Sequence, residues 1–315
     1  MPLHKEDMLP KAFPVVNAND FKTTLSQSTS SWAKAEYLGY PLFSVGIASR
    51  IFHPEQTFKV SQVHHLTDQT QARPPSESRC SFLDIVLASS LVVLWLATLI
   101  GGFRISLDHA PLVVTVLGMF IRTFFHTGLF IVTHESIHRN ISKHCFINNF
   151  FGYLTSYLYA FLAYGVLAKN HRLHHRFPGT QQDPDSAYPN KNNYFLWYFR
   201  FMNNYQADGQ AWVSAIGMAI IFCILISFHI PVLNLLLFWI IPMIASSFQL
   251  FTFGIFLPHR RGDSLNLDRH QASSTNLPVL WSFIACYHFG YHWEHHQYPY
   301  LSWYRLPQAH FERKA

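Results

Sequence analysis

Three short histidine-rich words carry the chemistry of this chain: His134 and His138 in HESIH, His171, His174 and His175 in HRLHH, and His292, His295 and His296 in HWEHH. On helices these are i, i+4 and i, i+3, i+4 spacings, which put each set of imidazoles on one face, pointing toward a shared centre. Imidazole suits iron, copper and zinc, and eight such groups exceed what one mononuclear ion accepts, so the pattern implies two metals. Placed beside apolar, membrane-length segments, such a pair points to oxygen activation. A structural zinc site is the plainer alternative, but such sites are four-coordinate and often use cysteine. The four cysteines, Cys80, Cys145, Cys223 and Cys286, are scattered without a CxxC pair and suggest neither a zinc ribbon nor a disulfide framework.

Two further histidines are candidates. His259 follows Pro258 where an apolar run ends, and His288 precedes His292 by four residues, so on a continuing helix it shares that face as a ligand or a hydrogen-bonded neighbour. His126, two turns before His134, reads as packed and hydrogen-bonded, and Arg122, deeper again, must pair or face the protein interior. His4, His53, His64, His65, His109 and His310 lack convergent spacing and read as surface residues. Among the acidic residues, Glu135, Asp183, Asp185 and Glu294 are placed to accept the other ring N–H of a metal-bound imidazole. Asp183 and Asp185 equally suit a turn around Pro184.

The elements that must position these groups follow from composition. Half the residues are hydrophobic and only 13% are charged, which describes an all-α polytopic membrane protein. Four runs, about 81–100, 111–133, 211–228 and 231–257, are each long enough to cross hydrocarbon ~30 Å thick. Short turns pair them into two transmembrane helical hairpins. Hairpins return the chain to the side it left, so the N-terminal segment, the segment 134–210 and the C-terminal tail share one face, and the histidine clusters meet there. Arg139, Lys143, Lys169, Arg172, Arg176, Lys191, Arg200, Arg260, Arg261, Arg269 and Arg305 fall on that face against Arg104 on the other, which makes it cytoplasmic or stromal-equivalent.

The apolar segment 146–168 lies between two clusters, so it is expected as a re-entrant or interfacial hairpin broken at Gly152 and Gly165. The run 277–291 should begin as a helix, with Ser274 or Asn276 as cap and Pro278 in its first turn. Residues 1–80 read as a polar, proline-punctuated extension and 81–310 as the catalytic domain. A transit peptide would suit the Ser/Thr content of the extension, but Glu6, Asp7 and Asp20 count against one, and no cleavable secretory signal is visible.

Longer words surround the clusters: HTGLFIVTHESIH, NHRLHHRFPGTQQDPD, FGIFLPHR and SFIACYHFGYHWEHHQYPYLSWYRLP. They resemble the β-carotene ketolases of the membrane fatty-acid desaturase and hydroxylase superfamily, over about 82–307. The third cluster, CYHFGYHxEHH with a Trp-containing LP tail, is the most specific block. The resemblance implies a non-haem di-iron pair held by His134, His138, His171, His174, His175, His292, His295 and His296, with His259 in the matching LPH. Two positions depart from the pattern: Glu135 stands for the usual Asp after the first histidine, and Ser186 and Ala187 replace an aromatic–histidine pair after DPD.

The chemistry implied by the resemblance is two successive O2-dependent hydroxylations at carbon 4 of a β-ionone ring, then loss of water to leave a ketone, converting β-carotene to echinenone and canthaxanthin. The site's main task is to bring that allylic carbon, and no other, within reach. The carotenoid enters from the bilayer through a crevice between spans. The net charge of +6 suits anionic lipid contact and docking of an acidic electron donor such as ferredoxin; nothing points to nucleic acid. A carotenoid ring hydroxylase stopping at one oxygen, a fatty-acyl desaturase or hydroxylase, and a non-enzymatic metal transporter are the other readings. The last would place its ligands at mid-membrane rather than at span ends.

Overall fold

A computed structural model describes residues 80–187, 193–260 and 269–314. The expected polar extension, apart from Cys80, lies outside the described residues, as do Lys191 and Arg261. Among the described residues the chain is all-helical. In chain order the helices are α1 (Phe82–Arg104), α2 (Leu112–His138), α3 (Cys145–Ala160), α4 (Tyr164–Arg176), α5 (Tyr194–Tyr205), α6 (Gln210–Ser227), α7 (Val232–His259), α8 (Val279–Cys286), α9 (His292–Gln297) and α10 (Leu306–Lys314). Helices α1, α2, α6 and α7 are long and apolar enough to cross a membrane. On α6 only Gln210 is buried, while Trp212, Val213, Ile216, Ile220 and Ile224 are bare. A helix apolar all round with an uncovered surface requires lipid around it.

Helices α3 and α4 are bent by 102° relative to each other. The break is not at either glycine. It falls at Phe161, which closes α3 in the left-handed conformation, φ 56°, with its N–H on the Tyr157 carbonyl and that of Leu162 on Ser156. Both glycines lie inside helices. Gly152 instead clears room for the Tyr164 ring, whose carbons come within 2.4 Å of where a β-carbon would sit. Gln210 satisfies the opened backbone, donating to the Phe161 carbonyl at 2.8 Å and accepting from the Ala163 N–H at 3.2 Å. The chain leaves His138 and returns to within 2.7 Å of it at His171, so α3 and the first half of α4 lead out and back.

Arg122 and His126, inside the spans, find both backbone and side-chain partners. The Arg122 side chain, 1% exposed, donates to the carbonyls of Trp95 (2.7 Å) and Phe238 (2.8 Å) and to Thr98 Oγ1 (3.0 Å), with the Trp95 ring 5.4 Å from the guanidinium. The Phe238 carbonyl sits in a π-helical turn of α7, Leu236–Ile240, whose altered ladder frees an acceptor. His126 accepts from Trp95 Nε1 at 3.1 Å and donates to the Tyr159 carbonyl at 3.0 Å. A core of Leu129, Ile131, Val132, Ile141 and Phe151 underlies the histidine-bearing ends.

The α3–α4 bend yields a test. Gly152→Val overpacks Tyr164 and should destabilise the detergent-solubilised protein by about 1–3 kcal/mol. Adding Tyr164→Ala should restore most of the loss, read as thermal midpoints of both variants.

Candidate metal centre

Four parts of the chain deliver imidazoles to one place. The end of α2 presents His134 and His138, which its helical period stacks on one face. Helix α4 presents His171, His174 and His175, the last turn of α7 presents His259, and α9 presents His292, His295 and His296. A second π-helical turn, Phe251–Phe256, resets the register of α7 just before His259. All these residues except His138, His171 and His175 are buried.

The nitrogens sort into two groups, each with its ligand atoms within 4.8 Å of one another: His134, His138, His171 and His295 in one, His174, His259, His292 and His296 in the other. His175 joins them. Its Nε2 lies 3.1 Å from that of His171 and 2.9 Å from that of His295, while its ring stacks on His296 at 4.4 Å. Further Nε2 pairs are His138 with His171 (2.7 Å), His134 with His295 (3.2 Å), His174 with His296 (3.0 Å) and His292 with His296 (3.1 Å).

These contacts fit a metal better than hydrogen bonds. Five Nε2 atoms form a chain, His134–His295–His175–His171–His138, with four short contacts. A neutral imidazole carries one N–H, so its nitrogens cannot make all four contacts hydrogen bonds. Ligands at right angles on a metal–nitrogen bond of about 2.1 Å stand about 3.0 Å apart, which is the spacing seen. Burial, reinforced by repulsion between neighbouring imidazoles, holds His171, His175, His292, His295 and His296 well below the ordinary histidine range. They are therefore neutral at pH 7 and offer lone pairs.

The outer ring nitrogens of His174 and His259 are held. His174 Nδ1 lies 3.0 and 3.1 Å from the two Asp183 oxygens, and His259 Nδ1 donates to the Gln271 carbonyl at 2.8 Å, so each turns Nε2 inward. Burial opposes the charge on Asp183, but His174 and the N–H groups of Gly179 and Asp185 outweigh it and keep its pKa below the usual carboxylate value. A negative charge thus stands ready behind His174. The turn around Pro184 exists as well: Asp185 N–H binds Asp183 Oδ1 at 2.9 Å, Tyr205 OH donates to Asp185 Oδ1 at 2.7 Å, and Trp197 Nε1 donates to the Asp185 carbonyl at 2.7 Å. Glu135 lies 3.4 Å from His134 Nδ1 and accepts from Asn140 at 3.1 Å.

Glu294, fully buried on α9, accepts from Ser274 Oγ, His310 Nδ1 (2.9 Å) and Arg313 Nη2 (2.8 Å). His310 is therefore not a surface residue: α10 uses it to lock the helix that carries three candidate ligands. The signal was the i, i+3 pairing of His310 with Arg313, which puts two donors on one helical face.

His288 is placed apart from both groups. Helix α8 runs Val279–Cys286 with Pro278 as its N-cap rather than within its first turn, and ends at Tyr287 and His288 with φ 47° and 63°. The helical spacing to His292 is broken there, and the His288 ring stacks on Tyr291 and Trp303 instead. Ser274, one expected cap, serves Glu294.

An apolar cleft of about 830 Å³, its open mouth included, reaches the histidines. His134, His171, His174 and His292 form part of its wall, with Phe130, Ile137, Leu162, Leu250 and Phe289 around them. Gly254, in the second π-helical turn, leaves the Phe289 ring its place; a β-carbon there would come within 2.9 Å of it.

A family model described as Fatty acid desaturase matches residues 109–315, the region that contains all four sequence blocks quoted above. The beta-carotene 4-ketolase of Protosiphon botryoides is 36% identical over 203 residues, covering 61% of this chain and 50% of that protein. The zeaxanthin 4-ketolase of Chlamydomonas reinhardtii is 32% identical over 250 residues, covering 75% and 54%. The chain thus spans about half the length of these two relatives. The beta-carotene ketolase of Paracoccus sp. (strain PC1) is 31% identical over 246 residues, covering 75% of this chain and 96% of that one. No solved structure matches.

Metal analysis of purified variants separates the two extra histidines. His259→Ala should lower metal content toward one ion per chain, whereas His288→Ala should keep the wild-type content. Asp183→Asn should weaken metal affinity about 10–100-fold by releasing the orientation of His174.

Proposed function

Because the chain belongs to the fatty acid desaturase family, we propose that it is a carotenoid 4-ketolase, an oxidoreductase that places a keto group at carbon 4 of β-ionone rings. One observation carries this reading: two groups of imidazoles meet the wall of an apolar cleft that suits a rigid, oil-soluble substrate. The ketolase names of its relatives support the same substrate class.

In this reading His134, His138, His171, His175 and His295 hold one iron, and His174, His259, His292 and His296 hold the other. The chemistry these two non-haem irons supply when bound is activation of O2 and oxidation of a C–H bond. Each round consumes one O2, two electrons and two protons, inserts one oxygen and releases one water; after two rounds the geminal diol loses a further water, the third in all, to give the ketone.

The chain's own residues supply position. Phe130, Ile137, Leu162 and Leu250 exclude water and hold the ring by shape, and the weak allylic C–H bond at carbon 4 is selected by which carbon reaches the histidine wall. Neutral imidazoles add no negative charge to the centre, which favours a strongly oxidising site. Asp183, Glu135 and Glu294 stand behind the ligands and hold them in place. The substrate enters from the bilayer. The basic residues around the site, including Arg172, Arg176, Arg269 and Arg305, support a cytoplasmic or stromal-equivalent site that meets anionic lipid and a ferredoxin-type electron donor.

Expression in a β-carotene-producing host tests this. Echinenone and canthaxanthin should accumulate, and His171→Ala should abolish both. Unchanged β-carotene from well-expressed protein overturns the reading. Ring-hydroxylated pigment would instead mark a hydroxylase, and an altered acyl-lipid profile a desaturase.

A further inference from the structure

One polar group in the cleft has no role in what precedes. Gln206 caps the C-terminus of α5, its backbone N–H bound to the Met202 carbonyl at 2.9 Å and its own carbonyl accepting from Ala211 at 3.2 Å. Its side chain lines the cleft beside Tyr205, and its Oε1 is buried with no hydrogen-bond partner. The other uncharged polar side chains of that wall are engaged: Tyr159 OH with Ser246 Oγ (3.1 Å), Tyr205 OH with Asp185 (2.7 Å), and Ser247 Oγ with both Tyr198 OH (2.7 Å) and the Ile244 carbonyl (2.8 Å).

A buried amide oxygen left unmet in an apolar wall costs free energy that a matching ligand group recovers. Gln206 follows directly on Tyr205, whose hydroxyl holds Asp185, and Asp185 Oδ2 lies 3.7 Å from His174 Nδ1. The unmet amide therefore belongs to the wall that continues into the histidine groups. A ring seated there for oxidation at carbon 4 presents its neighbouring carbon 3 to the same wall.

Resting on the ketolase reading, we infer that Gln206 is a specificity-determining residue that hydrogen-bonds a hydroxyl on carbon 3 of the ring, so that the protein prefers ring-hydroxylated carotenoids to unsubstituted ones. A hydroxyl both donates and accepts, so it satisfies the amide whichever of its two polar atoms faces the ring. An unsubstituted ring fits the same apolar space but leaves the amide unmet. The preference thus sits in one contact on top of shared shape complementarity.

The test is internal competition. Membranes containing the full chain, supplied with an electron donor and an equimolar mixture of β-carotene and zeaxanthin, report the ratio of kcat/KM values from the early products of each, whatever the amount of folded enzyme. Wild type should favour the hydroxylated ring by about 10-fold, the size of one uncharged hydrogen bond. Gln206→Leu should bring the ratio to about one, and Gln206→Met, closer in shape, should do the same should the leucine variant not fold. Absorbance shifts on titrating each carotenoid into the detergent-solubilised protein should show the same loss of preference in binding. A wild-type ratio near one, or a preference retained in both variants, overturns the assignment of Gln206. Absence of any ketone from either substrate overturns the ketolase reading itself.

Discussion

Nine imidazoles crowded into one small volume are the constraint on which the rest of the structure depends. Their Nε2 atoms approach to 2.7–3.2 Å, closer than lone pairs tolerate without a proton or a cation between them. The outer edge is organised in the opposite sense. Carboxyl groups and a backbone carbonyl face ring nitrogens from outside, so hydrogen-bond acceptors line the back of the ligand set. Each of those anchors is itself tied down from elsewhere: Asp183 by its own turn and by α5, Glu294 by α10, and Glu135 by Asn140, whose amide also donates to the Pro299 carbonyl at 3.0 Å. Precision at the centre is therefore a property of the whole helical assembly.

The bilayer imposes the second constraint. Every ligand-bearing segment must arrive at the same depth, which is why the apolar stretch between the first two clusters folds back on itself. Arg122 shows how a cation is kept in such surroundings: among the described residues it is met by main-chain oxygens and an indole face rather than by an acid. The same helix that donates one of those oxygens through a π-helical turn uses another to aim His259. Both departures from regular α-helix fall where a polar requirement meets an apolar span.

What was legible in the sequence was whatever rests on local periodicity. The four long apolar helices and the i, i+4 registers of the clusters need only the helix repeat and the thickness of hydrocarbon. Reasoning by spacing failed at His288, because the left-handed residues at Tyr287 and His288 interrupt the helix that the spacing assumed. It also failed at the bend, where Gly152 and Gly165 drew attention while Phe161, held by Gln210 and given room by Gly217, carries the break. His310 was harder to read for a different reason: its i, i+3 pairing with Arg313 shows two donors on one face, but the acid they meet lies on another helix. Gln206 was silent too, since an amide becomes informative only when its surroundings are seen to leave it unanswered.

The clasp on Glu294 sets an order of events during biogenesis. Ser274 precedes the third cluster, but His310 and Arg313 emerge from the ribosome only after the last candidate ligand has been made. Until they dock, the α9 carboxyl group lacks two of the three side-chain donors that hold it. On the proposed reading, metal loading would wait for this C-terminal helix to dock, which keeps a redox-active ion away from a half-assembled nascent chain.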